Sequence, residues 1–329
     1  MGTLKTRRLK GRIPVTGTEP VAGRTLTIGT RGSRLALRQT ELVREALRGR
    51  RPELSFEVRQ VRTAGDRDRM ASLSEIGGQG VFVKELEAAL LRHDVDLAVH
   101  SLKDVPSEIA DGLVLAAILE REDPRDALVS RDGASLDSLP AGARVGTGSA
   151  RRAAQLLAQR PDLTPVDIRG NVDTRVRKVE DGEIDAAVLA VAGLKRLGLL
   201  ERAAEILEPE VMVPAVGQGA LVVQARADDE EALMLLREID HRDSRLACEA
   251  ERAFLRRLGG GCRLPFGALA TIENDTMSLL GFMSDEAGER RFRAQVSGAA
   301  TEHERLGVEL AERLLTDGAA ELVEAAETE

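Results

Sequence analysis

The sequence predicts an α/β protein in which two α/β domains, joined by a double crossover, precede a small C-terminal α+β domain. The chain has 329 residues, 43% of them hydrophobic, and a single hydrophobic core usually stops growing at about 250–300 residues. A strand–helix alternation occurs twice along the chain, which is typical of parallel sheets covered by helices. The last part, from about residue 241, has a different order of elements and is therefore predicted to form a third domain.

Residues 1–24 are rich in Gly, Pro, Thr and Arg and show no hydrophobic period, so we expect a flexible extension. The predicted segments that follow are a first domain at 25–121 and 218–240, a second domain at 122–217 and a third domain at 241–329. The first domain has two pieces because the chain is expected to cross to the second domain and return.

The first domain begins with a strand around Leu26 and Ile28, which turns at residues 30–33 into a helix. This helix is predicted to bury Leu35, Ala36, Val43 and Leu47. The next predicted elements are a strand at 54–62, a helical face at 82–90 and a short buried strand at 95–100. This βαβαβ order predicts a parallel sheet.

The alternation restarts after a charged stretch at 120–126. The predicted elements are strands at 143–146, 165–169 and 184–191 and helices at 150–158 and 172–180. Residues 214–219 break the pattern, and the apolar run 220–223 is predicted to return to the first domain as an extra strand. Such a return would give the two α/β domains a hinge of two crossing segments.

The third domain is predicted to contain a helix, a glycine loop, three short strands and a long helix from Thr301. The strands are expected near 266–272, 277–283 and 291–297. Strands and helices that are grouped in this way predict an α+β domain.

Composition excludes several classes of protein. The net charge of −8 opposes general binding of nucleic acids, since affinity for phosphates needs a basic footprint. No apolar run reaches the about 18 residues of a membrane span, and the basic start lacks the apolar core of a signal peptide. We therefore expect a cytoplasmic protein, monomeric, with no nucleic-acid or membrane partner.

The two cysteines lie in different settings. They form no C-x-x-C pair and lie near no cluster of histidines, so we predict neither a disulfide framework nor a metal site. Cys248 has helical spacing with Ala250 and Phe254, which is typical of a small buried side chain. Cys262 follows three glycines in a loop, which favours a reactive or modified thiol, although a lone cysteine is more often buried.

Two α/β domains joined in this way create a cleft at the carboxyl ends of their strands, where ligands of open parallel sheets bind. Polar and basic residues follow several of the predicted strands. These residues are Arg31, Ser33, Lys103, Asp104, Ser149, Arg151, Arg152, Arg169, Gly170, Arg175 and Arg196. A cationic cleft in an acidic protein suits a small substrate with several carboxylates. A single arginine is more often a solvated surface residue, and Ser33 and Ser149 have helix N-capping as an alternative role.

Asp104 is the strongest candidate for an acid or base, because it ends a buried strand beside Lys103 and near several arginines. Such surroundings hold a carboxylate ionised, so that it can stabilise a developing cation. The alternative is an ordinary turn aspartate. Lys103 is compatible with a Schiff base or with carboxylate binding. The sequence Gly146-x-Gly148 fails as a dinucleotide fingerprint because Arg151 replaces the third glycine.

Several longer motifs, in order from about residue 25 to the end, resemble the porphobilinogen deaminase (hydroxymethylbilane synthase) family. The motifs are TRGSRLAL at 30–37, VHSLKDVP at 99–106, EREDPRD at 120–126, RGNV at 169–172, LAVAGLKR at 189–196, PAVGQG at 214–219 and GGC at 260–262. So many long motifs in one order make the resemblance highly specific.

The resemblance implies three domains, the first two similar to the type II periplasmic-binding fold and the third carrying the cysteine. It implies a transferase that condenses four porphobilinogen molecules head to tail, with loss of ammonia, and releases hydroxymethylbilane by hydrolysis. Cys262 corresponds to the residue that holds a dipyrromethane primer through a thioether. Asp104 corresponds to the catalytic carboxylate, which assists the loss of ammonia and stabilises the resulting azafulvenium cation and the pyrrole N–H groups.

The resemblance also implies roles for the cleft residues and implies no metal. The implied cofactor-binding residues are Arg31, Ser33, Lys103, Asp104, Ser149, Arg151, Arg152, Arg169 and Gly170. The implied substrate-binding residues are Arg31, Arg169, Arg175 and Arg196. One departure is the glycine-rich loop at 74–80, where Glu75 and Gln79 stand although many relatives carry lysine, which argues against anion binding by that loop. The extension at 1–24 lies outside the resemblance.

Two other functions are compatible with the residues alone. One is a two-lobed anion receptor or sensor with a structural Cys262, although such proteins usually bring a signal peptide or DNA-binding helices. The other is an enzyme with Cys262 or Lys103 as nucleophile, which needs a base, and His100 is the only histidine near the predicted cleft. We rank both below the synthase.

Overall fold

The fold is taken from a computed structural model, which describes residues 25–61, 83–259 and 264–328. The predicted extension at 1–24 lies outside these residues. So do Glu75, Gln79 and Cys262.

The first sheet has five strands in the order β2-β1-β3-β10-β4. Its strands are β1 (Thr25–Thr30), β2 (Ser55–Gln60), β3 (Leu97–Ser101), β4 (Leu113–Ile118) and β10 (Leu221–Arg226). Its helices are α1 (Arg34–Arg50), α2 (Lys84–Leu91) and α6 (Glu230–Arg237). β1 is parallel to β2 and β3, whereas β10 is antiparallel to both of its neighbours. The predicted parallel sheet of the first domain is therefore confirmed, with one antiparallel strand inserted.

The second sheet repeats this arrangement in the order β7-β6-β8-β5-β9. Its strands are β5 (Asp126–Ser130), β6 (Arg144–Gly146), β7 (Thr164–Val166), β8 (Ala186–Ala190) and β9 (Glu205–Leu207). Its helices are α3 (Ala150–Gln159), α4 (Val172–Glu180) and α5 (Val191–Arg196). β5 is antiparallel to both of its neighbours. In each sheet, the strand in the fourth position of the spatial order, β10 or β5, is therefore antiparallel to the other strands.

In each sheet, the antiparallel strand is the first one that the chain forms after it crosses from the other domain. The first crossing segment joins β4 to β5, and the second crossing segment joins β9 to β10. The two segments touch, because a Cβ at Gly219 would lie 2.2 Å from Glu122 O, and Gly219 has a φ of 89° that favours glycine. The predicted double crossover and the predicted return strand near 220–223 are confirmed.

The third domain has a three-stranded antiparallel sheet with helices on it. Its strands are β11 (Phe266–Glu273), β12 (Thr276–Ser284) and β13 (Arg291–Ala299), and its helices are α7 (Arg242–Arg257), α8 (His303–Leu314) and α9 (Ala320–Thr328). The predicted α+β domain is thus confirmed. The single long helix predicted from Thr301 is wrong, because a 3₁₀ turn precedes α8 and the chain kinks at Gly318, whose φ is 117°. A Cβ at Gly318 would lie 3.0 Å from the ring of Phe292, so the kink packs against the sheet.

Five short elements are absent from the sequence prediction: β4, β5, β9, α5 and α6. β5 begins at Asp126, inside the stretch predicted only as charged, and β9 has three residues, too few to show a period. Among the helices that the structure describes, none has the length and apolar character needed to cross a membrane.

Candidate active site

The predicted cleft residues lie where strands of both α/β sheets end. Arg31 follows β1, Lys103 follows β3, and Ser149 lies between β6 and α3. An ion pair connects the starts of α1 and α4 across the two domains, with Arg34 Nη1 3.3 Å from Asp173 Oδ2. The strand ends of the two sheets are therefore close in space, as the double crossover predicts.

A cavity of about 60 Å³ lies where β1 and β3 end. Its lining residues are Arg31, Ser33, Leu35, Ala36, Gln39, Val83, Val99, His100, Ser101 and Asp104. Gln39 Nε2 donates to Ser101 Oγ at 2.8 Å, which connects α1 to the end of β3. The cavity brings together three of the predicted residues, Arg31, Ser33 and Asp104.

Asp104 ends a single 3₁₀ turn that follows β3 directly. At the start of the turn, Leu102 is buried and donates its N–H to Ala220 O at 3.0 Å. The backbone after the turn is held by the third domain, since Arg252 Nη2 donates to Pro106 O at 2.8 Å. Contacts from the second crossing segment and from α7 thus fix the backbone that carries Asp104.

Lys103 is half-buried, and its Nζ donates to Gln218 Oε1 at 3.2 Å. Burial, together with the positive charge of Arg152, lowers the pKa of Lys103 to about 8, and the carboxylate of Asp104 offsets this only in part. Burial is the largest cause of this shift, and the charge of Arg152 adds to it.

Arg151 and Arg152 differ from the prediction in their exposure. The sequence placed them among the open cationic side chains of the cleft, but they are only 5% and 6% exposed. Asp126 is fully buried and accepts hydrogen bonds from Arg151 Nη2 at 2.8 Å and from Arg152 Nη2 at 2.6 Å. Burial acts to raise the pKa of Asp126, but the charges of Arg151 and Arg152 outweigh it and hold the pKa well below its usual range.

Gln218, on the second crossing segment, connects Lys103 to this ion-pair cluster. Its Nε2 donates to Asp126 Oδ1 at 2.9 Å, and its Oε1 lies 3.4 Å from Arg152 Nη2. Sequence reasoning assigned no role to Asp126 or Gln218. The available signal was a carboxylate at the first position of β5, directly before its apolar residues. Such a carboxylate predicts a buried charge that needs a partner.

Arg169, Gly170 and Arg175 lie together at the start of α4. Arg169 Nη2 is 2.8 Å from Asp167 Oδ2, and Arg175 Nε donates to Gly170 O at 2.9 Å. Burial, followed by the charges of Arg152 and Arg169, lowers the pKa of Arg175 to about 10. The guanidinium groups of Arg152 and Arg169 are therefore close enough to act on that of Arg175.

Arg196 is not among the residues that line the cavity. Its Nη2 donates to Gly219 O at 2.6 Å, and burial lowers its pKa to about 10. The two serines also differ from each other. Ser33 Oγ accepts from Ala36 N at 3.2 Å, so it is the N-cap of α1, whereas the side chain of Ser149 makes no capping bond to the described backbone of α3.

Cys248 is fully buried and packs with Leu102 and Val105. Burial raises the pKa of its thiol to about 12, so the predicted role of a small buried side chain is confirmed. Cys262 lies outside the described residues. Within residues 25–61, 83–259 and 264–328, no group of three or more His, Cys, Asp or Glu side chains comes together that could hold a metal ion.

Fold and site together define a protein with two α/β domains and a third α+β domain, whose arginine-rich cleft, with one carboxylate at its cavity, is suited to an anionic ligand. A family model described as the porphobilinogen deaminase dipyrromethane cofactor-binding domain matches residues 26–234, and the porphobilinogen deaminase C-terminal domain matches residues 245–316. The chain belongs to the porphobilinogen deaminase family.

Similar proteins named porphobilinogen deaminase cover most of the chain. The protein of Pelotomaculum thermopropionicum is 49% identical, over 93% of this chain and 98% of its own length. The protein of Roseiflexus sp. is 53% identical, over 89% of this chain and 97% of its own length. The protein of Desulforudis audaxviator is 51% identical, over 91% of this chain and 97% of its own length.

Solved structures with a partial likeness include a VFT2 domain and a methionine-binding protein. The Bordetella pertussis BvgS VFT2 domain is 18% identical, with 65% of this chain and 86% of that chain covered and a TM-score of 0.39. The methionine-binding protein MetQ is 14% identical, with 65% of this chain and 88% of that chain covered and a TM-score of 0.40.

Proposed function

We propose that this chain catalyses the reaction of its family. It condenses four porphobilinogen molecules head to tail, releases ammonia at each condensation, and frees hydroxymethylbilane by hydrolysis. The observation that carries this proposal is that Asp104, Arg31 and Ser33 line one cavity at the end of β1 and β3. A carboxylate beside anion-binding groups is the pairing that a cationic transition state on an acidic substrate needs.

The cofactor of the family is dipyrromethane, which carries acetate and propionate groups, and the charge of the cleft fits it. Burial and neighbouring positive charges lower the pKa values of Lys103 and Arg175 to about 8 and about 10. Burial is the largest cause for both groups, and the charge of Arg152 acts in the same direction on each. The carboxylates of a bound ligand would stabilise the charged forms of both side chains.

We assign the cofactor-binding role to the residues that the sequence singled out. These are Arg31, Ser33, Lys103, Asp104, Ser149, Arg151, Arg152, Arg169 and Gly170, with Cys262 as the point of thioether attachment. Arg151 and Arg152 fit a modified form of this role, because Asp126 already pairs with both of them. Asp126 fixes the positions of both guanidinium groups. The single charge of Asp126 cannot neutralise both of them, and the positive charge that remains would act on the ligand. When bound, the dipyrromethane supplies the pyrrole carbon that accepts the incoming substrate.

The substrate-binding role falls on Arg31, Arg169, Arg175 and Arg196, which would hold the acetate and propionate groups of porphobilinogen. Asp104 stabilises the positive charge that develops on the substrate as ammonia leaves, and the 3₁₀ turn keeps its carboxylate at the cavity. Arg196 acts at the edge of the site, since its guanidinium contacts the hinge at Gly219. It therefore links substrate binding to the hinge.

Replacement of Asp104 by asparagine tests this function. Asp104→Asn removes the charge with little change in shape, so we expect kcat for hydroxymethylbilane formation to fall about 100- to 1000-fold, as for other lost electrostatic stabilisers. The matched control is Asp111→Asn, because Asp111 is exposed in the loop before β4. Normal turnover by Asp104→Asn would contradict the role of Asp104. Binding without turnover by the wild-type protein would favour an anion receptor instead.

We also propose that the protein acts as a monomer in the cytoplasm. The support is the net charge of −8, since a net charge far from zero keeps a protein soluble and monomeric. Light scattering of the purified protein tests the first point, and a dimer mass would contradict it.

A further inference from the structure

Gln155 is a buried glutamine on α3, about one turn after Arg151. Its side chain is 2% exposed. Its Oε1 accepts from Val213 N at 2.8 Å, and its Nε2 donates to Val213 O at 3.1 Å. One amide thus binds both backbone groups of a single residue, as a residue on a paired strand would. Val213 lies on the second crossing segment and is fully buried, so Gln155 fixes this part of the segment on α3.

The carbonyl of Val213 also connects Gln155 to the ion-pair cluster of the cleft. Val213 O accepts a second hydrogen bond from Arg151 Nη1 at 2.6 Å, and Arg151 Nη2 bonds to Asp126 Oδ2 at 2.8 Å. Gln155 and Arg151 are four residues apart, so they lie on the same face of α3. A displacement of Val213 would therefore move the guanidinium group of Arg151 as well.

The residue after Val213 carries this position to the third domain. Pro214 O accepts from Ala268 N on β11 at 3.1 Å. The two backbones are closest at Gly267, where a Cβ would lie 2.5 Å from Pro214 O and 3.1 Å from the side chain of Arg151. Cys262 precedes Gly267 by five residues, and five residues of chain span at most about 18 Å. The contact at Pro214 therefore limits how far from Arg151 the chain can carry Cys262.

We infer that Gln155 is a positioning residue, which holds the third domain against α3 so that a primer on Cys262 meets the cavity of Asp104. This inference rests on the proposed function. The amide of Gln155 is bonded to protein backbone, so its effect on the reaction passes through Val213 rather than through a ligand. A small displacement of a reacting group slows the chemical step, whereas the arginines that would hold the substrate keep their places.

Steady-state kinetics of the full-length, primer-carrying enzyme test the inference. Gln155→Met keeps the length of the side chain and removes both bonds to Val213. We expect kcat for hydroxymethylbilane formation to fall about 10- to 100-fold, while KM for porphobilinogen stays within about 3-fold and intact mass shows the primer attached. Gln295→Met is the matched control, because Gln295 is exposed on β13 and bonds to Ser278 Oγ. It should leave both constants unchanged.

A second control separates positioning from a loss of stability. Leu310 is fully buried in the core of the third domain. Leu310→Ala leaves a cavity there, so it should lower the thermal stability. It should leave kcat unchanged at a temperature where the variant is folded, because Leu310 makes no contact with the path from Gln155 to Gly267.

Gly267→Ala tests the same path from the side of the third domain. The added Cβ requires Pro214 O to move, so we expect a loss of kcat of the same kind as in Gln155→Met. In the double variant the two losses should not multiply, because both act through the position of the second crossing segment. Losses that multiply would show independent effects and overturn the inference.

The outcomes separate the inference from the proposed function. If the wild type forms hydroxymethylbilane and Gln155→Met keeps its kcat, the inference is wrong while the function stands. A fall in kcat that Leu310→Ala reproduces at an equal loss of stability would show a structural role and overturn the inference as well. A wild-type protein that forms no product removes both.

Hydrogen exchange of the wild-type protein covers the case in which a variant does not fold. The N–H of Val213 donates to Gln155 Oε1, so we expect it to exchange as slowly as the amides of the central strand β10. Fast exchange at Val213 would show that Gln155 does not hold the segment, and it would contradict the inference.

Discussion

At the scale of single residues, an excess of positive charge determines the character of the cleft. Lys103 and Arg175 have lowered pKa values because burial and neighbouring guanidinium groups disfavour their charged forms. Asp126 removes part of the excess by pairing with Arg151 and Arg152. The charge that remains is the part available to a ligand with carboxylates.

The lowered pKa of Lys103 predicts a pH dependence. A lysine is charged below its pKa and neutral above it, so Lys103 loses its charge as the pH rises through about 8. This pKa applies to the primer-free protein, because the carboxylates of a bound primer would raise it. We therefore expect attachment of the primer, when the bare protein is incubated with porphobilinogen, to weaken above this pH. In Lys103→Arg the charge persists, and the fall attributable to this residue should disappear. The fraction of primer-carrying protein by intact mass across this pH range measures the effect.

The control for this experiment is Lys178→Arg. Lys178 lies on α4 and pairs with the exposed Glu183, so its replacement should leave the pH profile unchanged. A profile that is identical in the wild type and in Lys103→Arg would show that Lys103 does not cause the fall.

The site residues that the sequence predicted are set by their local position after a strand, whereas those that it missed are set by contacts between distant elements. Arg31, Ser33 and Asp104 were predicted to share a cleft because each follows a strand, and the structure places them at one cavity. The pairing of Asp126 with Arg151 connects residues 25 positions apart on different elements. No local pattern specifies such a contact, so the burial of the two arginines could not be predicted.

At the scale of helices and strands, the close contact of α7 and α8 holds the third domain together. Gly307 on α8 allows it, because a Cβ at Gly307 would lie 2.3 Å from Ala250 O and 2.7 Å from Ala253 Cβ on α7. We expect Gly307→Ala to lower the free energy of unfolding by about 1–3 kcal/mol, as for other overpacked cores. Denaturant unfolding measures this change.

The matched control is Gly49→Ala at the end of α1. A Cβ at Gly49 would have no atom within 4 Å, so this change should stabilise the protein slightly, by at most about 1 kcal/mol. Equal stability of Gly307→Ala and the wild type would show that α7 and α8 can separate without cost.

Long strands with a clear hydrophobic pattern could be predicted from the sequence, whereas short strands could not. The strands of the third domain are eight or nine residues long, and the structure confirms all three. β9 has three residues and β5 starts with a charge. Their identity as strands depends on pairing with β8 and with each other, which is tertiary information. The kink at Gly318 depends in the same way on packing against Phe292.

At the scale of the whole molecule, the three domains meet at the hinge and at the 3₁₀ turn of Asp104. Arg121 on the first crossing segment donates to Glu251 on α7 at 2.6 Å, and Glu251 accepts from Gly217 N on the second crossing segment at 2.7 Å. Arg252, the next residue on α7, holds the backbone after Asp104. The helix that precedes Cys262 along the chain is thus joined to both the hinge and the turn of Asp104.

This arrangement leads to the central claim, that a primer on Cys262 is extended at the cavity of Asp104. The measurement that tests it most directly is the intact mass of the purified protein, with and without Cys262→Ser. We predict an excess mass equal to two linked pyrroles in the wild type and the bare polypeptide mass in the variant. A wild-type protein that has the bare mass, and that gains no adduct after incubation with porphobilinogen, would contradict the account.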